Sequence, residues 1–133
     1  MTEPIWIDKD DCLGFHSKLL ACFGGLDGLR DEGLLESALE RPRQLFHYTT
    51  PTLFEMAAAY AHGIVKNHPF LDGNKRSGLM AAALFLEMNG WDFVAPEEEA
   101  VIQTLALAAG EEGAEGYAAW LERSCVPRAE APP

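Results

Sequence analysis

The chain has 133 residues, 48% of them hydrophobic and 23% charged, with a formal net charge of −11. That length suits one domain with a core of its own, and the acidic balance argues against general binding to nucleic acid or to an anionic membrane. No apolar run reaches the roughly 18 residues of a membrane span, and the opening MTEPIWIDKDD lacks the basic flank and apolar stretch of a secretion signal, so a cytoplasmic protein is expected.

From Lys9 to Phe23, Cys12, Phe15, Leu19, Leu20 and Phe23 recur at helical spacing, and Gly24-Gly25 ends the helix. A second helix starts at Asp31 as N-cap and puts Leu34, Leu35, Ala38 and Leu39 on one face, with Pro42 as its limit. The following RQLFHYTTPT has no helical period and is rich in aromatic and β-branched residues. It reads as a short extended or hairpin-like excursion near residues 43–51.

Thr52 and Glu55 have capping-box spacing, and Leu53, Met56, Ala57, Tyr60, Ile64 and Val65 form a stripe up to Asn67. Pro69 disfavours helical geometry at His68, which predicts a stop there. After PFLDG comes a helix from about Asn74 to Met88, ended by Asn89-Gly90. Its run from Leu79 to Leu86 carries no charge, as expected of a buried, central helix.

WDFVA reads as a short extended piece. Pro96 then opens a helix with Glu97, Glu98 and Glu99 in its first turn, where carboxylates complement the dipole, and this helix runs to Gly110. A last helix carries Tyr117, Trp120 and Leu121. The fold class is therefore all-α. One domain over residues 1–126 is expected, with 127–133 as a frayed tail, because the proline-rich end offers little to a core.

Three cysteines, Cys12, Cys22 and Cys125, show no metal-ligand spacing. Cys12 and Cys22 on one helix would lie roughly 15 Å apart, beyond the ~7 Å limit for a disulfide, so reduced structural thiols are expected.

The charge is unevenly spread. Residues 97–133 hold eight acids and two bases, whereas residues 41–76 hold five bases and two acids. An anionic ligand finds its attractive field in the second segment, although charge also fluctuates along any chain. Within it lies NHPFLDGNKRSG, residues 67–78, between a helix that stops and a helix that starts. The first N–H groups of a helix lack partners and carry the positive end of the macrodipole, which suits phosphate. Gly73 permits close approach, and Lys75 and Arg76 fall in the first turn, where cations disfavour the helix unless a polyanion compensates. His68 supplies a proton acceptor, Asp72 a hard oxygen ligand for Mg²⁺, and Asn74 a cap or phosphate donor. Each has a duller alternative, since DGN is a common turn and a histidine before proline is often a cap. Together they supply what phosphoryl or nucleotidyl transfer requires. The spacing is not that of a P-loop or of a zinc set, and His16 reads as a structural helix residue.

The motif resembles the Fic/Doc superfamily signature H-x-F-x-(D/E)-G-N-(G/K)-R, with His68, Phe70, Asp72, Gly73, Asn74 and Arg76 at every fixed position. FGGLDGLRDEGLLESAL and FLEMNGWDF also resemble its death-on-curing branch. The resemblance implies a compact helical bundle whose motif loop enters the central helix. It implies His68 as general base toward a target hydroxyl, Asp72 as the Mg²⁺ carboxylate, Gly73, Asn74, Lys75 and Arg76 as phosphate-binding residues, and Phe70 as the buried anchor. It places a target-docking flap around Phe46, His47, Tyr48 and Thr49. Lysine at position 75, where AMP-transferring members carry glycine, implies transfer of the ATP γ-phosphate to a threonine of elongation factor Tu, with a cognate antitoxin as partner. The alternatives are AMP transfer to a protein hydroxyl, an inactive antitoxin-binding or corepressor module, and a metal-dependent hydrolase.

Overall fold

Helix α1 (Lys9–Phe23) starts at a reciprocal capping box: Asp8 accepts from the Asp11 N–H at 2.8 Å, and Asp11 accepts from the Asp8 N–H at 3.1 Å. Asp31 caps α2 (Glu32–Tyr48) through the Leu34 N–H. Thr52 and Glu55 form the box that opens α3 (Leu53–Asn67). These local signals place the helix starts as the sequence predicts. The computed structural model describes residues 2–129. Beyond α3 come α4 (Asn74–Met88), α5 (Glu97–Ala109) and α6 (Ala114–Arg123). Strands β1 (Trp91–Phe93) and β2 (Cys125–Pro127) form a small antiparallel ribbon.

The deepest element is α3, which packs against α2, α4, α5 and α6. Its apolar residues meet Leu35, Ala38, Phe85, Leu86, Tyr117, Trp120 and Leu121 in one core. Helix α4 buries Ala81, Ala82, Phe85 and Leu86 and turns Met80 toward solvent. At Gly78 the two helices approach so closely that a Cβ would stand 2.8 Å from Val65 Cγ2 and 3.1 Å from the Ala61 carbonyl oxygen. Glycine there seats the N-terminal turn of α4, and with it the motif loop, against α3.

Two expectations are corrected. The excursion expected near residues 43–51 is helical as far as Tyr48, and only Thr49–Thr52 leaves the helix. Pro42 lies inside α2 and is buried. A proline there removes one hydrogen bond and crowds the preceding turn, at a cost of about 3 kcal/mol. Continuing the helix brings Phe46 edge-on to Trp6 at 5.7 Å and sets the Arg43 guanidinium over the same indole, contacts that help offset the cost. The tail expected over residues 127–133 is also not frayed at residues 127 and 128. Pro127 pairs with Trp91, the Arg128 N–H donates to the Gly90 carbonyl at 2.9 Å, and the Arg128 side chain meets Asp92. Residues 130–133 of the expected tail lie outside the described residues.

Candidate active site

Helix α3 ends as Pro69 requires. His68 takes the left-handed conformation, φ 53° and ψ 53°, and its N–H closes on the Ile64 carbonyl. It is the sole non-glycine residue with positive φ among those described. This region costs a residue bearing a Cβ, and such strain collects at functional sites. Arg30 holds the turn from outside: Nε donates to the His68 carbonyl at 2.7 Å and Nη2 to the Asn67 carbonyl at 2.8 Å. The His68 side chain is exposed.

The loop between α3 and α4 is closed by Asn74. Its Oδ1 accepts from the Phe70 N–H at 2.9 Å and its Nδ2 donates to the Phe70 carbonyl at 3.0 Å. The amide is buried and spent on the loop, so what residue 74 offers a phosphate is its main-chain N–H. Phe70 is fully buried and bridges in β fashion to Leu29, which ties the loop to the core. Gly73, at φ 78°, occupies the N-cap of α4, and no side chain caps that helix. Its first N–H groups therefore face outward beside the exposed Lys75 and Arg76. No acid lies in that turn, and neither cation forms an ion pair among the described residues. Arg76 instead rests over the Phe23 ring, 4.6 Å from its centroid.

His68, Asp72, Gly73, Asn74, Lys75 and Arg76 thus line one cleft of about 320 Å³, closed on its far side by Leu79, Val101, Thr104 and Leu105. A larger hollow of about 640 Å³ continues between His68, Lys75 and the α5 face of Ile102, Leu105 and Ala109. A helix N-terminus, two unpaired cations and an exposed carboxylate at one mouth can bind a polyanion with its counter-cation. Asp72 Oδ2 accepts from the Leu26 N–H at 3.2 Å, and Oδ1 accepts from the Gly73 N–H at 2.9 Å. No group of three or more His, Cys, Asp or Glu side chains gathers to hold a metal among the described residues. A single carboxylate fits Mg²⁺, which takes one or two carboxylates and completes its shell with water and substrate phosphates. It does not fit a closed zinc site.

The expected flap residues are not part of this assembly. Phe46, His47 and Tyr48 form the last turn of α2, and Thr49 caps it. They stand beside the N-terminus of α3, whereas His68 follows its C-terminus, a helix length of about 22 Å away. The segment that does lie along the motif is residues 24–31. Leu71 N–H donates to the Gly28 carbonyl, and the Arg30 and Asp31 N–H groups both donate to the Pro69 carbonyl. Sequence reasoning missed this strip, as well as Arg30 and His16. The paired GG and DG of FGGLDGLRD signal an irregular chain, but which loop it meets is a long-range matter.

A family model described as the Fic/DOC family matches residues 6–86. The chain belongs to the Fic/DOC family. The matched span runs from Trp6 into α4 and takes in the whole motif loop of this Fic/DOC chain. Over 92 residues it is 39% identical to Toxin Doc of Mycolicibacterium smegmatis, covering 68% of this chain and 67% of that protein. Over 118 residues it is 33% identical to Protein kinase doc of Escherichia phage P1, covering 88% and 93%. Among the described residues of this Fic/DOC protein, no helix is long and apolar enough to cross a membrane.

Proposed function

We propose that the chain is a Doc-like toxin that transfers the γ-phosphate of ATP to a hydroxyl of a protein target. The observation that carries this reading is Lys75 unpaired in the first turn of α4, beside Arg76 and the free N–H groups of the helix. Two cations at that end work against the helix itself, and a triphosphate would reverse the sign of the interaction. The names of the two relatives, a toxin and a protein kinase, point the same way.

In this reading the N–H groups of residues 74–76, with Lys75 and Arg76, hold the phosphate chain, and Gly73, whose own N–H is spent on Asp72, lets it approach closely. Asp72 would hold Mg²⁺, which would supply positive charge to neutralise the phosphates. His68 takes the proton of the incoming hydroxyl. The hydroxyl oxygen bonds to the γ-phosphorus, the bond from that phosphorus to the β-bridging oxygen breaks, and ADP leaves. The left-handed turn at His68, held by Arg30, keeps the imidazole at the cleft instead of along α3. The docking role that the resemblance assigns to a flap passes to residues 24–31, whose exposed outer edge runs beside the cleft. The target in this reading is a threonine of elongation factor Tu, so that translation stops, and a cognate antitoxin holds the protein in check.

Incubation with elongation factor Tu and ATP labelled at either the γ or the α phosphate tests the proposal. Label arriving from the γ position, and lost in His68→Ala, is expected. Label arriving only from the α position would make the protein an AMP transferase. Absence of either label, with no nucleotide binding in the presence of Mg²⁺, would leave an interaction module.

A further inference from the structure

His16 on α1 belongs to no motif in the sequence, yet it is 3% exposed and touches the motif loop at three points. Its ring lies flat on Phe70, with centroids 3.7 Å apart and planes at 8°. Its Nε2 is 2.9 Å from the Asp72 carbonyl oxygen. A carbonyl only accepts, so Nε2 carries the proton. The same nitrogen borders Gly73, where a Cβ would meet it at 3.6 Å.

The exit of the same helix holds the other end of Asp72. Leu26 donates its N–H to Oδ2, and Gly25 packs so tightly that a Cβ there would stand 2.8 Å from that oxygen. The carboxylate at the cleft mouth is thus gripped at its backbone by α1 and at its side chain by Gly25 and Leu26, just past the Gly24 cap of that helix. A leucine at position 16 would fill the same apolar space. A buried donor is costly unless it is matched, and here the match is the carbonyl that sets the direction of Asp72.

We propose that His16 is a positioning residue for Asp72: by stacking on Phe70 and donating to the Asp72 carbonyl, it fixes where the carboxylate presents itself to a divalent cation. The cation's place at Asp72 rests on the function proposed above. The positioning itself rests on the hydrogen bond and the stack. Supporting partners of this kind orient metal carboxylates, and losing one lowers metal affinity by about tenfold or more.

Two substitutions separate the two contacts. His16→Phe keeps a flat ring on Phe70 and removes the donor. His16→Gln keeps a donor of similar reach and removes the stack. Amide hydrogen exchange by NMR is followed at Leu26 and Gly73, with Ala118 and Leu121 of α6 as internal references. Binding of Mn²⁺ with a non-hydrolysable ATP analogue is followed by electron paramagnetic resonance.

In His16→Phe, exchange at Leu26 and Gly73 is expected to quicken about tenfold while the α6 references keep wild-type rates. The Mn²⁺ half-saturation point should rise about tenfold, and His16→Gln should fall closer to wild type in both. Wild-type exchange and wild-type Mn²⁺ affinity in His16→Phe would overturn the proposal. So would exchange that quickens equally at the α6 references, because His16 would then be core packing alone. If the wild-type protein bound no Mn²⁺–nucleotide, the proposed function would fail instead, and exchange at Leu26 and Gly73 alone would decide the positioning role.

Discussion

Asn74 and Phe70 close the motif loop on each other: the Asn74 amide accepts from the Phe70 N–H at 2.9 Å and donates to its carbonyl at 3.0 Å. Both residues are buried, so nothing in solvent replaces either bond. Asn74→Ala leaves a buried N–H and a buried carbonyl unpaired, a loss of about 2–4 kcal/mol in denaturant titrations. Asn74→Asp keeps the acceptor but loses the donor and buries a charge. Both variants should lose phosphate transfer, since the loop no longer sets Asp72 and Gly73.

His68 carries backbone strain that the proposed function would explain. Its left-handed φ of 53° suits glycine, so His68→Gly should raise stability by about 1 kcal/mol in urea unfolding while abolishing transfer of label. His68→Ala, which keeps the strain, should lose transfer without the gain. A His68→Gly chain less stable than the wild type would mean that the imidazole contributes packing its exposure does not suggest.

Lys75 should show the same opposition. Lys75→Gln removes a cation from the first turn of α4 and should stabilise the empty protein by about 0.5 kcal/mol at low salt. It should weaken binding of ATP, most visibly at low ionic strength. Equal nucleotide affinity in both chains would remove the argument that this lysine faces phosphate.

His62 makes stability depend on pH. Burial, followed by the neighbouring Arg41 and Lys66 charges, holds its pKa below the ordinary value of 6.5. The Arg41 guanidinium stands 3.0 Å from Nδ1, which must be unprotonated to accept. Below pH 6.5 the unfolded chain therefore binds a proton that the folded chain refuses. The penalty is absent above pH 6.5, grows as pH falls toward the folded-state pKa, and is constant below it. Denaturant midpoints compared between pH 7.5 and 5 should show the wild type losing stability relative to His62→Asn as the pH is lowered.

The cysteines should separate cleanly. Burial pushes the Cys12 thiol up to about 12 and the Cys125 thiol up to about 11, whereas Cys22 is exposed on the last turn of α1. A thiol reagent near pH 8 should modify one residue per native chain at once and all three after unfolding. Mass spectrometry of the native product should place the label on Cys22.

Much of this was legible before any coordinates, because helix ends and motif residues interact over three or four positions. The Asp31 cap, the Thr52–Glu55 box, the stop before Pro69 and the run His68–Arg76 all speak through neighbours in the chain. That explains why the motif loop lies between two helices where the local pattern has it. Pro42 misled for the same reason: a local rule ends the helix there, whereas contacts of Arg43 and Phe46 with Trp6, some forty residues away, carry α2 onward to Tyr48.

What the sequence determined by itself is the set of helices and the loop that one contiguous stretch forms between two of them, both governed by short-range hydrogen bonding and backbone sterics. What only the tertiary structure decided is which parts of the chain hold that stretch. Residues 24–31 meet the motif, and Phe46–Thr49 do not, because α2 and α3 run antiparallel and put the latter at the far end. His16, read along the chain as a structural residue, reaches Asp72 across 56 positions. Contacts of that span are selected by packing of whole helix faces, and no local pattern encodes them.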